Sequence, residues 1–326
     1  MSKGKIIRSP FKAGWWVPER HSQTLYPTLF RRPVAITLRE EVLELPDGDF
    51  VELSWTQDRN AGPLIMLFHG LEGSIESAYA KGILKAIEQN GWQGVLMHFR
   101  GCGKAHNRLA RGYHSGDSDE LRYFIQTLHE RFPDRLLGAI GISLGGNALL
   151  KYLGEEGENS LLTAAMAISV PFELANTARH LDKGFAKVYQ RHLCRSVQNK
   201  LLDKFKTVPS PVSVETIKSA NTIYNFDDKV TAPLHGFVDA DDYYARSSSK
   251  PLLKKIAVPT YILHSQNDPF MTEQAIPTEA DLSPYVTLEL TESGGHVGFV
   301  YGKTPFTAKY WIEKRLTEFF NSQFDL

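Results

Sequence analysis

A chain of 326 residues with 37 Lys or Arg, 37 Asp or Glu and 42% hydrophobic residues has ample apolar content for a large core and no net charge. That balance gives no global field to draw nucleic acid or anionic lipid, so a neutral enzyme that binds no nucleic acid is expected. Two cysteines, Cys102 and Cys194, are too few for a disulfide framework and lie in no Cys/His zinc pattern, which fits a reducing, cytoplasmic compartment.

In chain order, the opening residues Met1 to Trp16 are basic but hold no apolar run, because Ile6 and Ile7 are followed by Arg8, Pro10 and Lys12. No secretory signal is expected there. "EEVLEL" and "VELSW" around the Pro46–Asp49 turn read as an antiparallel hairpin. Apolar runs at Leu64–His69, Gly94–Phe99, Leu136–Ile142 and Thr163–Ser169 read as buried strands. Between them lie helical patterns from about Ser77 to Asn90, from Asp117 or Asp119 to Phe132, and after Ser143. This alternation predicts an α/β fold, a mostly parallel central sheet with helices on both faces. The most apolar stretch, Leu161–Val170, is about half the roughly 20 residues needed to span a bilayer, so at most a transient membrane-surface contact is expected.

From about Pro171 the rhythm changes. Two core strands are separated by about 90 residues, too many for one βα connection, so residues 171–250 are expected to form a helical lid or cap between core segments of about 40–170 and 251–326. Within it, Phe185 and Tyr189 are expected in an acyl pocket, and the basic residues of Ala186–Phe205 on a solvated face, or on a lid that meets lipid. Strands at Pro259–Ser265 and Val286–Leu290 and a helix from about Pro305 to Asn321 close the chain.

Chemistry gathers at strand ends. Gly141-Ile142-Ser143-Leu144-Gly145 matches G-x-S-x-G between a strand and a helix, the setting of a nucleophile elbow, and marks Ser143 as the nucleophile. A serine hydroxyl needs a base and an orienting acid. His296 in "ESGGHVGF" and Asp268 in "HSQNDPF" are the candidates, in the chain order Ser, Asp, His. Should Asp268 fail, Glu173 is the next acid. Backbone N–H groups of Leu144 and Leu71 are expected to form the oxyanion hole, Leu71 from the glycine-bearing loop "HGLEGS". His69 there reads as structural, Glu72 as solvated, Cys102 as a packing residue and "FRGCGKAHN" as a structural loop, with part of the mouth of the site as the alternative reading. His114, Asp117 and Asp119 lie close together, but a helix start accounts for them by capping, and no metal or cofactor is expected.

The sequence resembles the α/β-hydrolase superfamily and, more narrowly, the AB hydrolase-4 family of esterases and lipases. The match runs through "HSQTLYPTLFRR", "LFHGLEGS", "HFRGCGKAHNRLARGYHSGDSDELR", "GISLGGN", "FDDKVTAPLHGF" with "DDYYARSS", and "GGHVGF", in order over nearly the whole chain. The resemblance implies a triad of Ser143, Asp268 and His296 and cofactor-free ester chemistry on lipid-like substrates. The expected function is a serine carboxylic-ester hydrolase acting on medium-chain or lipid-like acyl esters. An alcohol O-acyltransferase with the same triad, and a non-catalytic binding protein on the same fold, are the alternatives, and the oligomeric state stays open.

Overall fold

Apolar runs between turn residues become strands, and the amphipathic runs become the helices that cover them. The computed structural model describes residues 4–59 and 61–324, so Met1–Lys3 of the basic opening segment lie outside the described residues. In chain order come β1 (Lys5–Arg8), α1 (Arg20–Phe30), the hairpin β2 (Arg39–Glu44) and β3 (Phe50–Trp55), and β4 (Leu64–Phe68). There follow α2 (Ala80–Gln89), β5 (Gln93–His98), α3 (Ser118–Arg131), β6 (Leu137–Ile142), α4 (Leu144–Glu156) and β7 (Ala164–Ile168). After β7 the chain forms α5 (Leu174–Leu181), α6 (Ala186–Lys204), α7 (Val214–Ser219), α8 (Ile223–Phe226), α9 (Ala232–His235) and α10 (Ala240–Ser247). A π turn over Asp227–Thr231 joins α8 to α9. The chain ends with β8 (Thr260–Ser265), β9 (Val286–Thr291), the short pair β10 (Val300–Tyr301) and β11 (Lys309–Tyr310), and α11 (Trp311–Gln323).

Nine strands make one sheet in the order β1-β9-β8-β7-β6-β4-β5-β3-β2. All neighbours from β1 through β5 are parallel, and the β2–β3 hairpin adds the two antiparallel pairings at one edge. Strand alternation distributes the core over both faces. Leu64, Met66 and Phe68 of β4 join Phe124 and Leu128 of α3 and Leu149 and Leu153 of α4 in one cluster. Ile65 and Leu67 face the other way, with Ile83 and Ile87 of α2 and Leu316 and Phe320 of α11. This is the α/β-hydrolase fold expected from the sequence.

The departures are local. β1 extends the sheet beyond β9, with Ile6 opposite Leu288, where the sequence pattern suggests no strand. The last helix starts at Trp311, because Pro305–Thr307 forms a single 3-10 turn and Lys309–Tyr310 pairs with β10. Asp117 stands at the N-cap of α3 without capping it, since its carboxylate accepts from Arg111 at 3.1 Å. No helix among the described residues is long and apolar enough to cross a membrane.

Two histidines in this core set a pH dependence of stability. His69 and His264 are fully buried, and burial lowers their pKa values to about 3 and about 4. In the unfolded chain both titrate near 6.5, so below that pH the unfolded state binds more protons than the native state. Their contribution is complete above about pH 6.5 and is lost as the pH falls toward the native values. Urea unfolding between pH 7 and 5 should show a falling midpoint, and His264→Leu should reduce the proton uptake on unfolding by about one. An unchanged slope in that variant would contradict the assignment.

Candidate active site

The elbow depends on two backbone approaches. A Cβ at Gly141 would stand 2.6 Å from the Gly145 carbonyl oxygen, and one at Gly145 would stand 2.5 Å from the carbonyl oxygens of Phe68 and His69. With hydrogen in both places, β6 turns into α4 at once. Ser143 is left at φ +50° and ψ −114°, a conformation that costs a non-glycine residue about 1–3 kcal/mol. Asn147, one turn into α4, is buried and donates to the carbonyls of Ser115 (2.8 Å) and Ser247 (2.7 Å) while accepting from Ser249 N–H (3.0 Å). Its amide ties the elbow helix to both ends of the surrounding loops.

His296 comes from the loop after β9, and α1 sets the shape of that loop. The Gly298 position admits no Cβ because the Gln23 carbonyl lies against it, and Thr24 Oγ1 accepts the His296 N–H at 3.0 Å. Buried Gln23 bonds Val17 and Val300 through its amide, which locks α1 to β10. Val297 and Phe299 hold positive φ in the same loop. The resulting ring position gives His296 Nε2 to Ser143 Oγ at 3.0 Å and Nδ1 to Asp268 Oδ2 at 2.8 Å. Asp268, 2% exposed after β8, also accepts from Phe270 N–H at 2.8 Å, and the Phe270 ring stacks on the imidazole with centroids 3.9 Å apart. The three candidates thus meet, although 153 residues separate Ser143 from His296. Glu173 is not at this place; it pairs with Lys250 at 2.8 Å.

The loop from His69 to Ser74 packs over the elbow, with Gly70 so near that a Cβ there would come 3.4 Å from Ser143 Cβ. His69 Nε2 accepts from Phe99 N–H (3.0 Å), so its proton sits on Nδ1 and is donated to the Gly70 carbonyl (2.7 Å). Gly70 N–H donates to Tyr79 Oη (2.8 Å), and Glu72 N–H to Tyr113 Oη (2.7 Å). Among the described residues the N–H groups of Leu71 and Leu144 have no partner in these networks. Two free donors beside Ser143 can receive a developing oxyanion.

Glu72 corrects the sequence reading. It is not solvated: its side chain is 10% exposed, it holds φ +54°, and its carboxylate pairs with Lys200 of α6 and accepts from Tyr113 Oη at 2.8 Å. Burial alone would lower the Lys200 pKa, but Cys102 and Glu72 beside it hold it above its ordinary value. The Cys102 sulfur lies 3.1 Å from Lys200 Nζ, and burial raises the thiol pKa. Lys204, one turn on, is fully buried and donates to Asn107 Oδ1 and to the carbonyls of Ala110 and Arg111. The inner side of α6 is therefore a set of bonded bases, a role invisible from charge spacing alone because the partners lie about 90 residues or more away.

A cavity of about 720 Å³ opens onto Ser143 and His296. Its apolar wall includes Leu181, Leu193, Val197, Phe226, Val230 and Leu234. Phe185 and Tyr189 are not in that wall: Phe185 is 53% exposed at the start of α6, and Tyr189 turns to His21 Nδ1 (3.0 Å) and the Phe270 ring. "FRGCGKAHN" is more than a structural loop, since Arg100, Gly101, His106 and Asn107 reach the cavity. His114, Asp117 and Asp119 do not gather at one place. Asp119 is exposed and pairs with Arg122, while His235 arrives from α9 so that ligand atoms of His114, Asp117 and His235 lie within 4.8 Å of one another. Burial lowers both imidazoles to about 3, leaving them neutral beside the Arg111–Asp117 pair.

A family model described as alpha/beta hydrolase fold matches residues 63–303. Over 303 residues the chain is 43% identical to the Escherichia coli (strain K12) protein named "Putative esterase YheT", covering 91% of this chain and 89% of that one. It is 29% identical over 315 residues to "Phospholipase ABHD3" of Homo sapiens, covering 94% of this chain and 77% of that one. Among solved structures, the Pyrococcus furiosus esterase Pf2001 superposes with a TM-score of 0.57 at 15% identity, over 97% of this chain and 100% of that one, a likeness of fold.

The buried Glu72–Lys200 pair gives a direct test of how α6 holds the loop. Lys200→Met strands a carboxylate with little water and should cost about 3–5 kcal/mol in urea unfolding. Adding Glu72→Gln should recover most of that loss. Independent, additive losses would show that the two side chains do not act as a pair.

Proposed function

The chain belongs to the alpha/beta hydrolase fold family and is an esterase- or lipase-type hydrolase; we propose that it works through an acyl-enzyme on Ser143 and takes medium-chain, lipid-like acyl esters. The observation that carries this reading is the continuous hydrogen-bond line Asp268–His296–Ser143, at 2.8 and 3.0 Å.

Nδ1–H of His296 donates to Asp268, which leaves Nε2 to accept the Ser143 hydroxyl proton. As Oγ attacks the ester carbonyl, the proton moves to Nε2 and the imidazolium is stabilised by the buried carboxylate. Negative charge on the former carbonyl oxygen is met by the Leu71 and Leu144 N–H groups and by the N-terminus of α4. His296 then protonates the leaving alcohol, and water, activated by the same ring, releases the acid. Stacking by Phe270 keeps the ring in one plane through both half-reactions.

In this reading residues 171–250 act as a cap. The sheet edge presents Ser143 but offers no hydrocarbon channel, whereas α5, α6, α8, α9 and the π turn supply the apolar wall. The free cysteines, Cys102 and Cys194, support a reducing, cytoplasmic setting.

Ser143→Ala should abolish ester hydrolysis and fluorophosphonate labelling with unfolding unchanged, and Asp268→Asn should lower kcat by about 10³ to 10⁴ with little effect on KM. Labelling that persists on another residue would move the nucleophile. Each CH₂ entering the cavity is worth about 0.8 kcal/mol, so an acyl series should gain about threefold to fourfold in kcat/KM per CH₂ until the cavity is full. Leu193→Ala and Leu234→Ala should move that limit to longer chains. A flat series would remove the cap as the acyl-binding wall.

A further inference from the structure

The apolar surface is not spread evenly. Of the twelve large hydrophobic side chains exposed among the described residues, seven lie in three short segments: Trp15, Leu25, Leu29 and Phe30; Phe185 and Val188; and Phe306. These segments are adjacent in space. The His21 and Phe185 rings are 4.3 Å apart, Trp15 Nε1 donates to the Lys303 carbonyl at 2.9 Å, and Tyr26 Oη donates to the Pro305 carbonyl at 2.8 Å. Phe30 and Phe306 share one surface depression. His21, Leu25 and Leu29 follow at four-residue spacing, which places them along one ridge of α1.

The neighbouring ridge of α1 looks into the catalytic cavity, because Thr24, Pro27, Thr28 and Arg31 line it. The apolar tips therefore border the mouth of the cavity. Charge is concentrated on the same segments. Residues 12–32, 182–195 and 300–314 hold eleven Lys or Arg against three Asp or Glu, in a chain whose totals are equal at 37 each. Arg32, Lys183, Lys187, Arg191, Lys303 and Lys309 among them are exposed.

We propose that this face docks on an anionic lipid bilayer, with Trp15, Leu29, Phe30, Phe185 and Phe306 entering the headgroup boundary and the surrounding bases binding lipid phosphates. Protruding aromatic and aliphatic tips framed by Lys and Arg match the chemistry of an interfacial surface, in which apolar insertion and attraction to anionic lipid add. A protein partner of mixed surface would match the tips but not the surplus of eight positive charges carried by these segments. Docked this way, the cavity opens at lipid level, so that an ester leaves the bilayer and reaches Ser143 without crossing bulk water. That benefit to turnover rests on the ester-hydrolase reading, but the docking itself does not.

The full chain should cosediment with phosphatidylcholine vesicles containing about 30% phosphatidylglycerol and release them as salt rises to about 0.5 M, while pure phosphatidylcholine retains little of it. Leu29→Ser with Phe306→Ser should lower anionic-vesicle partitioning about tenfold or more, and Lys303→Glu with Lys309→Glu should lower it by a similar factor. Both double variants should hydrolyse a short water-soluble ester at the parent rate, and Ser143→Ala should bind vesicles as the parent does. Failure of hydrolysis with vesicle binding intact would strike the catalytic reading alone. Absence of anionic-vesicle binding at low salt, or binding indifferent to both double variants, would overturn the docking face. So would a concentration-dependent dimer that Leu29→Ser with Phe306→Ser abolishes, which would assign the face to a second copy of the chain.

Discussion

The 3.0 Å contact between His296 Nε2 and Ser143 Oγ is the constraint on which the loops at the carboxyl edge of the sheet depend. Ser143 reaches it only through a strained turn that the close packing at Gly141 and Gly145 makes achievable. His296 reaches it only because α1 presses on Gly298 and binds the histidine N–H through Thr24. Strain in both loops is balanced by burial and hydrogen bonds around them: Asn147 behind the elbow, Gln23 behind the histidine loop. The site is therefore a product of backbone contacts at least as much as of the three side chains that meet there.

Much of this was legible in the sequence because the signals were local. A glycine on each side of Ile142-Ser143-Leu144, a strand pattern before them and a helix pattern after them are all read within a few residues of Ser143. Asp268 and His296 stand directly after strands and beside glycine or proline, so their places at the sheet edge followed from the same kind of evidence. Helices on both faces followed from fully apolar runs such as Leu64–Phe68, whose alternate residues divide between two clusters.

What was not legible depends on partners far away in the chain. Glu72 reads as a surface acid until Lys200 and Tyr113 are brought to it, and Lys204 reads as solvated until Asn107 and two carbonyls surround it. His235 joins His114 and Asp117 from more than 100 residues away, while the nearby Asp119 turns outward. Phe185 and Tyr189 were expected in the acyl pocket as members of the insertion, but membership of the insertion does not say which side of α6 meets the cavity. The residues that do, Leu193 and Val197, lie on a side fixed by the inward pairing of Lys200 and Lys204. α6 thus joins the apolar wall of the cavity to the loop carrying Leu71, so the shape of that wall and the geometry around the Leu71 N–H share one helix.

The central claim is that chemistry passes through a covalent bond to Ser143 Oγ. Rapid acid quench of the full chain with a medium-chain nitrophenyl ester, followed by peptide mass analysis, tests it directly. The account predicts the mass of one acyl group on the peptide containing Ser143, rising within the first turnover and increased when deacylation is slowed. Rapid turnover with the ester carbon never found on the protein, or found on a residue other than Ser143, would contradict it.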